Sequence, residues 1–149
     1  MVDSLCLDMV DKGLVTDTLG LWIGYSHSAY REGVGGTAAL GIETNADSVM
    51  IPAAVALYDR IADKNTPIRR INVSTGPLRE DPGFFQTSLF DSAPGGAELE
   101  KNRKIQEAVL KIQKKHGKNA ILKGMDFEEA ATRRERNGQI GGNKSGEKA

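Results

Sequence analysis

Apolar residues follow two different spacings along the first half of the chain. Over residues 1–13 they recur at helical spacing and Gly13 follows as a stop, which predicts an amphipathic helix. Over residues 18–26 every second side chain is apolar, which predicts a strand with one buried face. The large aromatic side chain of Trp22, on the opposite face, is an exception to that alternation. The inward set is Leu19, Leu21, Ile23 and Tyr25.

The same two spacings repeat further along the chain. Residues 27–36 are polar and Gly-rich, which is typical of a hairpin connection, and alternation over 37–44 predicts a second strand. An apolar stripe predicts a second helix that begins after a cap at Asp47 or Ser48 and ends near Lys64. Alternation over 68–75 predicts a third strand.

The predicted order is therefore helix, two hairpin strands, helix, strand. This order indicates an α+β fold of the split β-α-β-β-α-β kind that lacks its first strand, with both helices on one face of a small antiparallel sheet. The other face of the sheet is then free. The side chains expected on this outer face are small, polar or basic: Ser26, Thr37, Gly41, Arg70, Asn72 and Ser74.

After the third strand the composition changes. Pro, Gly, Asp and Ser dominate residues 76–97 around an apolar island at 84–90, which predicts a linker that carries a binding peptide. We therefore divide the chain into a domain at 1–78, a linker at 79–97, and a charged helix with a flexible polar tail at 98–149. The apolar residues expected on one side of that helix are Leu99, Ile105, Val109 and Ile112.

The island contains Gln86 followed at a short spacing by Leu89 and Phe90. This pattern suits an extended peptide that seats two apolar anchors in a partner's groove while the amide hydrogen-bonds at its edge. Alternatively, the apolar residues of the island pack back onto the domain as an edge strand or surface cover. The pattern alone leaves both interpretations open.

Charge and composition narrow the function classes. Twenty Lys and Arg residues balance twenty Asp and Glu residues, so attraction to nucleic acid or membrane has to come from local patches. Basic residues cluster after residue 100, where interspersed glutamates make an ordinary solvated helix face equally consistent. The single cysteine and the lack of any long apolar run predict a soluble, cytoplasmic protein that has no membrane partner.

Groups that could carry chemistry are few. The two histidines, His27 and His116, have no nearby metal-ligand pattern and are expected in solvated positions, while Cys6 is expected in the core. No glycine-rich segment matches a phosphate-binding loop. We therefore expect no catalytic residue, no metal site and no cofactor in this chain, and no enzymatic activity of its own.

Three stretches resemble one protein family. They are TLGLWIGYS at 18–26, AAVALYDRIADKNTPIRRINVS at 53–74, and ILKGMDFEEAATRRERNGQIGG at 121–142. They resemble the little-finger domain and C-terminal extension of bacterial Y-family translesion DNA polymerases of the polymerase IV and V type. The resemblance spans nearly the whole chain.

The resemblance implies that the outer face of the sheet lies against a primer-template DNA duplex. Contacts to the phosphate backbone would be independent of sequence, which suits a damaged template. The residues expected to make these contacts are Ser26, His27, Arg31, Thr37, Arg70, Asn72 and Ser74.

The resemblance also implies a second partner. In this family a peptide of the QxxLF type binds the replicative sliding clamp, which maps onto Gln86, Leu89 and Phe90. The catalytic carboxylates and magnesium sites of the polymerase would lie in a segment that precedes residue 1, so none maps onto this chain. An alternative is a module that binds a replication protein without touching DNA.

Overall fold

The computed structural model describes residues 1–26, 32–83 and 95–138. Helices and strands follow one another in the predicted order, and the α+β prediction is confirmed. The elements are α1 (Val2–Lys12), β1 (Leu14–Tyr25), β2 (Val34–Thr44), α2 (Asp47–Ile61), β3 (Ile68–Thr75), β4 (Arg79–Glu80), α3 (Gly96–His116), a 3-10 helix (Gly124–Phe127) and α4 (Arg133–Arg136).

Helix α1 ends at Gly13, whose positive φ of 64° turns the chain directly into β1. The strand thus begins at Leu14, four residues before the predicted start. The register of β1 against β2 shifts between Thr16 and Thr18, and this irregularity breaks the alternation. Because Val15 and Thr16 are both buried, the pattern before Thr18 does not have a period of two.

Helix α2 begins without the predicted side-chain cap. Its N-cap residue is Ala46, and Asp47 is already helical. The Thr44 hydroxyl instead accepts a hydrogen bond of 3.0 Å from the Ala46 N–H. The helix ends at Ile61, three residues earlier than predicted.

Strand β1 lies in the middle of the sheet, antiparallel to β2 on one side and β3 on the other. The short β4 also pairs with β1, on the same side of β1 as β3. It continues the β1–β3 pairing without a shift, since Leu19 pairs with Thr75 and, four residues away on each strand, Val15 pairs with Arg79. Trp22, three residues before the end of β1, is paired with Gly35 and Asn72.

The inner face of the sheet packs against α1 and α2. The predicted inward residues are confirmed, because those of β1 are all buried and those of β2 and β3 are partly buried. The residues that form the two clusters of the core are Cys6, Met9, Leu19, Met50 and Ala54, and Leu21, Ile23, Tyr25 and Leu57. Burying one such side chain stabilises the fold by about 1.5–3 kcal/mol.

The chain divides into two compact units, Met1–Gln106 and Glu107–Ala149. The first unit therefore contains the beginning of α3, where Leu99 is 1% exposed. The domain boundaries at residues 78 and 97 stay a prediction. The predicted apolar side of α3 is wrong at Ile105 and Ile112, which are exposed.

Polar contacts attach the beginning of α3 to the rest of the first unit. The Gln106 side-chain amide donates to the Asn45 carbonyl over 3.0 Å. The Asn102 amide donates to the Asp47 carboxylate over 2.8 Å. The face of α3 that packs on the domain thus combines Leu99 with polar side chains, so an apolar stripe alone does not mark it.

A third contact joins the two sides of the linker. The Arg103 guanidinium lies 3.3 Å from the Asp81 carboxylate, and both side chains are largely buried. Asp81 follows β4, whereas Arg103 lies in α3. This ion pair, the Asp81–Arg103 clasp, therefore connects the chain before the apolar island to the chain after it.

In the described part of the second unit there is a buried ion pair. Arg133 and Asp126 are both buried and lie 3.3 Å apart, and the same Asp126 carboxylate accepts a hydrogen bond of 2.8 Å from the Lys123 N–H. The Arg134 guanidinium lies over the Phe127 ring at 5.7 Å. Residues 139–149, the end of the predicted polar tail, lie outside the described residues.

Candidate nucleic-acid interface

The outer face of the sheet is a set of cross-strand rows. Strand pairing brings Thr37, Gly20 and Ser74 into one row and Gly35, Trp22 and Asn72 into the next, and Arg70 lies opposite Gly24 beyond them. The side chains of Thr37, Asn72, Ser74 and Arg70 are exposed. The predicted outward residues of β2 and β3 therefore share one solvent-facing surface.

Two neighbouring arginines form the basic end of this surface. Ile68 and Ile71 both turn partly inward, while Arg69 and Arg70 between them are both exposed. A shift in the β1–β3 register next to Gly24 permits this, because an irregularity of this kind re-aims a side chain.

Arg69 was missed by sequence reasoning, since strict alternation would place it inside. The sequence did contain a signal, because two consecutive arginines between two isoleucines cannot satisfy alternation without burying a charge.

Glycines on the outer face of β1 leave space that neighbouring side chains fill. A methyl group added at Gly20 would collide with the Ser74 hydroxyl oxygen, so this hydroxyl lies across β1. The Trp22 ring likewise lies over Gly24, where an added methyl group would lie 2.7 Å from Cη2. The middle of the face therefore presents a hydroxyl and an indole close to the backbone.

The remaining predicted contact residues lie beside this surface or outside the described part. The Ser26 N–H, just after β1, donates to the Pro67 carbonyl over 2.9 Å, and its side chain is half-buried. His27 and Arg31 lie outside the described residues. The structure thus brings together Thr37, Arg70, Asn72 and Ser74, with Ser26 near the end of β1.

The opposite end of the sheet carries acidic groups. Arg79 pairs with the Asp17 carboxylate at 3.4 Å and also with Glu43. A hydrogen bond from the Thr18 hydroxyl, with the charge of Arg79 as a smaller cause, lowers the pKa of Asp17 below its ordinary value. Glu43 and then Asp17 raise the pKa of Arg79. Two carboxylates around one guanidinium make this end net negative, whereas the Arg69–Arg70 end is positive.

The proposed peptide anchors Gln86, Leu89 and Phe90 lie outside the described residues, as does the rest of the apolar island. Of the groups weighed for chemistry, Cys6 lies in the core, where its thiol is 3.4 Å from the Met50 sulfur, and His116 is exposed at the end of α3.

Within the described ranges, no three His, Cys, Asp or Glu side chains converge as metal ligands would. No helix in the described part of the chain is both long and apolar enough to cross a bilayer.

Comparison with known proteins gives one family and one relative. The model of the impB/mucB/samB family C-terminal domain matches residues 1–89. The family is the C-terminal part of Y-family polymerases, which act in UV-damage repair. The chain is 27% identical over 128 residues to the "Putative UV-damage repair protein UvrX" of Bacillus subtilis (strain 168). The match covers 86% of this chain but 29% of that relative. No solved structure matches significantly.

Proposed function

Because the chain belongs to the impB/mucB/samB C-terminal domain family, we propose that it grips primer-template DNA for a Y-family polymerase during damage bypass. The polymerase active site, with its magnesium ions, lies in another part of that enzyme. The protein works in the cytoplasm, where bacterial DNA is accessible to it.

The outer face of the sheet is the observation that carries this proposal. It combines exposed hydroxyl and amide groups with the Arg69–Arg70 pair at one end. Arginine, serine, threonine and asparagine side chains are the usual donors to phosphate oxygens. Contacts of this kind hold the duplex without reading bases, so a distorted template does not disrupt them.

Net charge sets the expected strength of binding. The chain as a whole is neutral, so the attraction comes from the basic end of the face and is partly offset by the acidic end around Arg79. We therefore expect weak binding that depends strongly on salt.

The test is fluorescence anisotropy of a labelled primer-template duplex at several salt concentrations. The double variant Arg69→Ala and Arg70→Ala is expected to weaken binding and to lower the slope of log K against log salt by about 2, roughly one per lost phosphate contact. The control removes two charges from the helix side, Lys12→Ala and Lys64→Ala, and is expected to keep the wild-type slope. A flat titration of the wild type at low salt, or equal effects of the two double variants, would contradict the proposal.

We also propose that the apolar island binds the replicative sliding clamp through Gln86, Leu89 and Phe90. Support comes from the QxxLF pattern and from the family, and tethering would raise the effective concentration of the domain at the primer end. In a pull-down with the clamp, Leu89→Ala with Phe90→Ala is expected to abolish capture. The matched control, Phe84→Ala with Phe85→Ala, also removes two large apolar side chains from this segment. It is expected to retain capture by the clamp. Capture that survives loss of Leu89 and Phe90 refutes the clamp role.

The two measurements also separate DNA gripping from pure protein interaction. Clamp capture together with no DNA binding would favour the module that binds a replication protein without touching DNA.

A further inference from the structure

Trp22 differs in size and polarity from the other residues of the outer face. Its neighbours across the strands are Gly35 and Asn72, and the nearby outward residues are small or polar, yet its side chain is large, apolar and 41% exposed. It also sits on the central strand, so it lies at the middle of the face. Contact with phosphates alone gives no reason for an indole at this position.

Three glycines form a floor beneath the indole. A methyl group added at Gly35 would lie 3.2 Å from Cδ1 of the ring, one at Gly24 would lie 2.7 Å from Cη2, and one at Gly33 would overlap Cζ2. These ring atoms span both the five-membered and the six-membered ring. The indole therefore lies flat along the sheet, with one face on the glycines and the other directed outward.

Polar groups surround this platform. Arg70 lies opposite Gly24 on the neighbouring strand β3, and Asn72 lies opposite Trp22 itself. The platform thus presents a flat aromatic surface with a cation at one end and an amide along one side.

A nucleobase joined to its phosphate has the matching chemistry. Its face stacks on an indole, and its phosphate is attracted by a guanidinium. In an intact duplex the faces of the bases are hidden in the stack and only their edges and the backbone are accessible. Only a base outside the stack can therefore use the platform.

We propose that Trp22 stacks on an unpaired nucleobase of the bound DNA while Arg70 contacts the phosphate of the same nucleotide. This inference rests on the proposed DNA-gripping function and adds to it a preference for templates that contain an unstacked base. Such a base occurs in a single-stranded template or in a bulge beside a lesion.

Trp22 is the single tryptophan of the chain, so its fluorescence reports on this platform alone. The full chain is titrated with three oligonucleotides of equal length: a duplex, a duplex with one bulged thymidine, and the same bulge with an abasic residue. We expect saturable quenching with the thymidine bulge, and little quenching with the duplex or with the abasic bulge. By anisotropy, the thymidine bulge is expected to bind about 5- to 100-fold more tightly than the abasic bulge.

Substitutions separate stacking from packing. Trp22→Ala is expected to remove the preference for the base-bearing bulge while changing duplex affinity by less than about twofold, and Trp22→Phe is expected to keep part of the preference. The control, Val55→Ala, trims an exposed apolar side chain on α2 and is expected to change neither affinity. The comparison of oligonucleotides with the wild type decides the matter even where Trp22→Ala fails to fold.

Equal affinity for the thymidine and abasic bulges overturns the stacking proposal, as does an equal loss of duplex and bulge binding in Trp22→Ala. In either case salt-sensitive binding that depends on Arg69 and Arg70 leaves the gripping function standing. If the wild type binds none of the three oligonucleotides, both proposals are wrong.

Discussion

The two faces of the sheet are formed by alternate residues of the same three strands, yet one face is buried and the other is exposed to solvent. Ile23 on the inner face is fully buried against the helix layer, while Trp22, its neighbour in sequence, is 41% exposed over glycines. The inner face supplies the burial that stabilises the fold. The outer face can therefore carry hydroxyls, arginines and glycines whose contribution to stability is small.

Because the inner face provides the burial, the outer face can carry glycines at several positions. Because Gly20, Gly24 and Gly35 have no side chains, the hydroxyl of Ser74 and the ring of Trp22 lie close to the backbone. The glycines thus leave room on the outer face of β1 for these two side chains. Glycine within a strand costs about 0.5–1 kcal/mol relative to alanine, which the inner face has to offset.

The largest expected effect on stability comes from a substitution on the inner face. Ile23→Ala removes a fully buried side chain and leaves a cavity, so we expect the free energy of unfolding to fall by about 2–5 kcal/mol. Urea denaturation followed by circular dichroism measures it. Ser74→Ala, on the outer face, is the control and is expected to change the unfolding free energy by less than about 0.5 kcal/mol. Equal losses for the two variants would mean that the faces do not divide stability and binding.

A second prediction compares two glycines that are adjacent in sequence and on opposite faces. A methyl group at Gly36 would lie 3.2 Å from Leu57 and from Ile61, whereas one at Gly35 would meet the Trp22 ring. Gly36→Val is therefore expected to overpack the core and to cost about 1–3 kcal/mol.

Gly35→Val is expected to cost less than Gly36→Val, because the exposed indole can swing away. It should also change the tryptophan emission, which Gly36→Val should leave close to that of the wild type. Thermal melting and emission spectra of the two variants measure these differences. A larger loss of stability for Gly35→Val would contradict the assignment of the faces.

The smallest expected effect concerns the acidic end around Arg79. The lowered pKa of Asp17 means that its contribution to stability is present above the ordinary value of 3.8 and is lost as the pH falls through the lower, folded-state value. Comparing wild type with Asp17→Asn across acidic pH should show a small difference that disappears toward the acid end and shrinks in high salt, because the pair is exposed. A difference that grows on acidification would contradict the assigned sign.

Most of β2 and β3 was predictable because burial alternates regularly over residues 37–44 and 70–75, although β2 begins at Val34, three residues before its predicted start. The start of β1 was not predictable, because the register shift around Asp17 interrupts the alternation of buried and exposed residues. Arg69 was missed for the same reason, because a second register shift lies at the other end of the sheet. The packed side of α3 was missed because Gln106 and Asn102, rather than isoleucines, contact the domain.

Part of the candidate site could be read from the same alternation. A period of two places Arg70, Asn72 and Ser74 on one face, and the structure agrees. The floor beneath Trp22 could not be found in this way, because Gly33 and Gly35 reach the ring only through the pairing of β2 with β1. That pairing depends on register, which the spacing within one strand does not contain.

The Asp81–Arg103 clasp turns the segment between Gly83 and Gly95 into a loop whose two ends belong to the same unit. Twelve peptide units at about 3.3–3.6 Å each can extend no further than about 20 Å out and back. Under the proposed clamp role, a clamp bound to Gln86, Leu89 and Phe90 would therefore stay within about 20 Å of the ends of this loop. Arg103→Ala would remove this ion pair, whereas the contacts of Asn102 with Asp47 and of Gln106 with Asn45 would still hold α3 to the first unit.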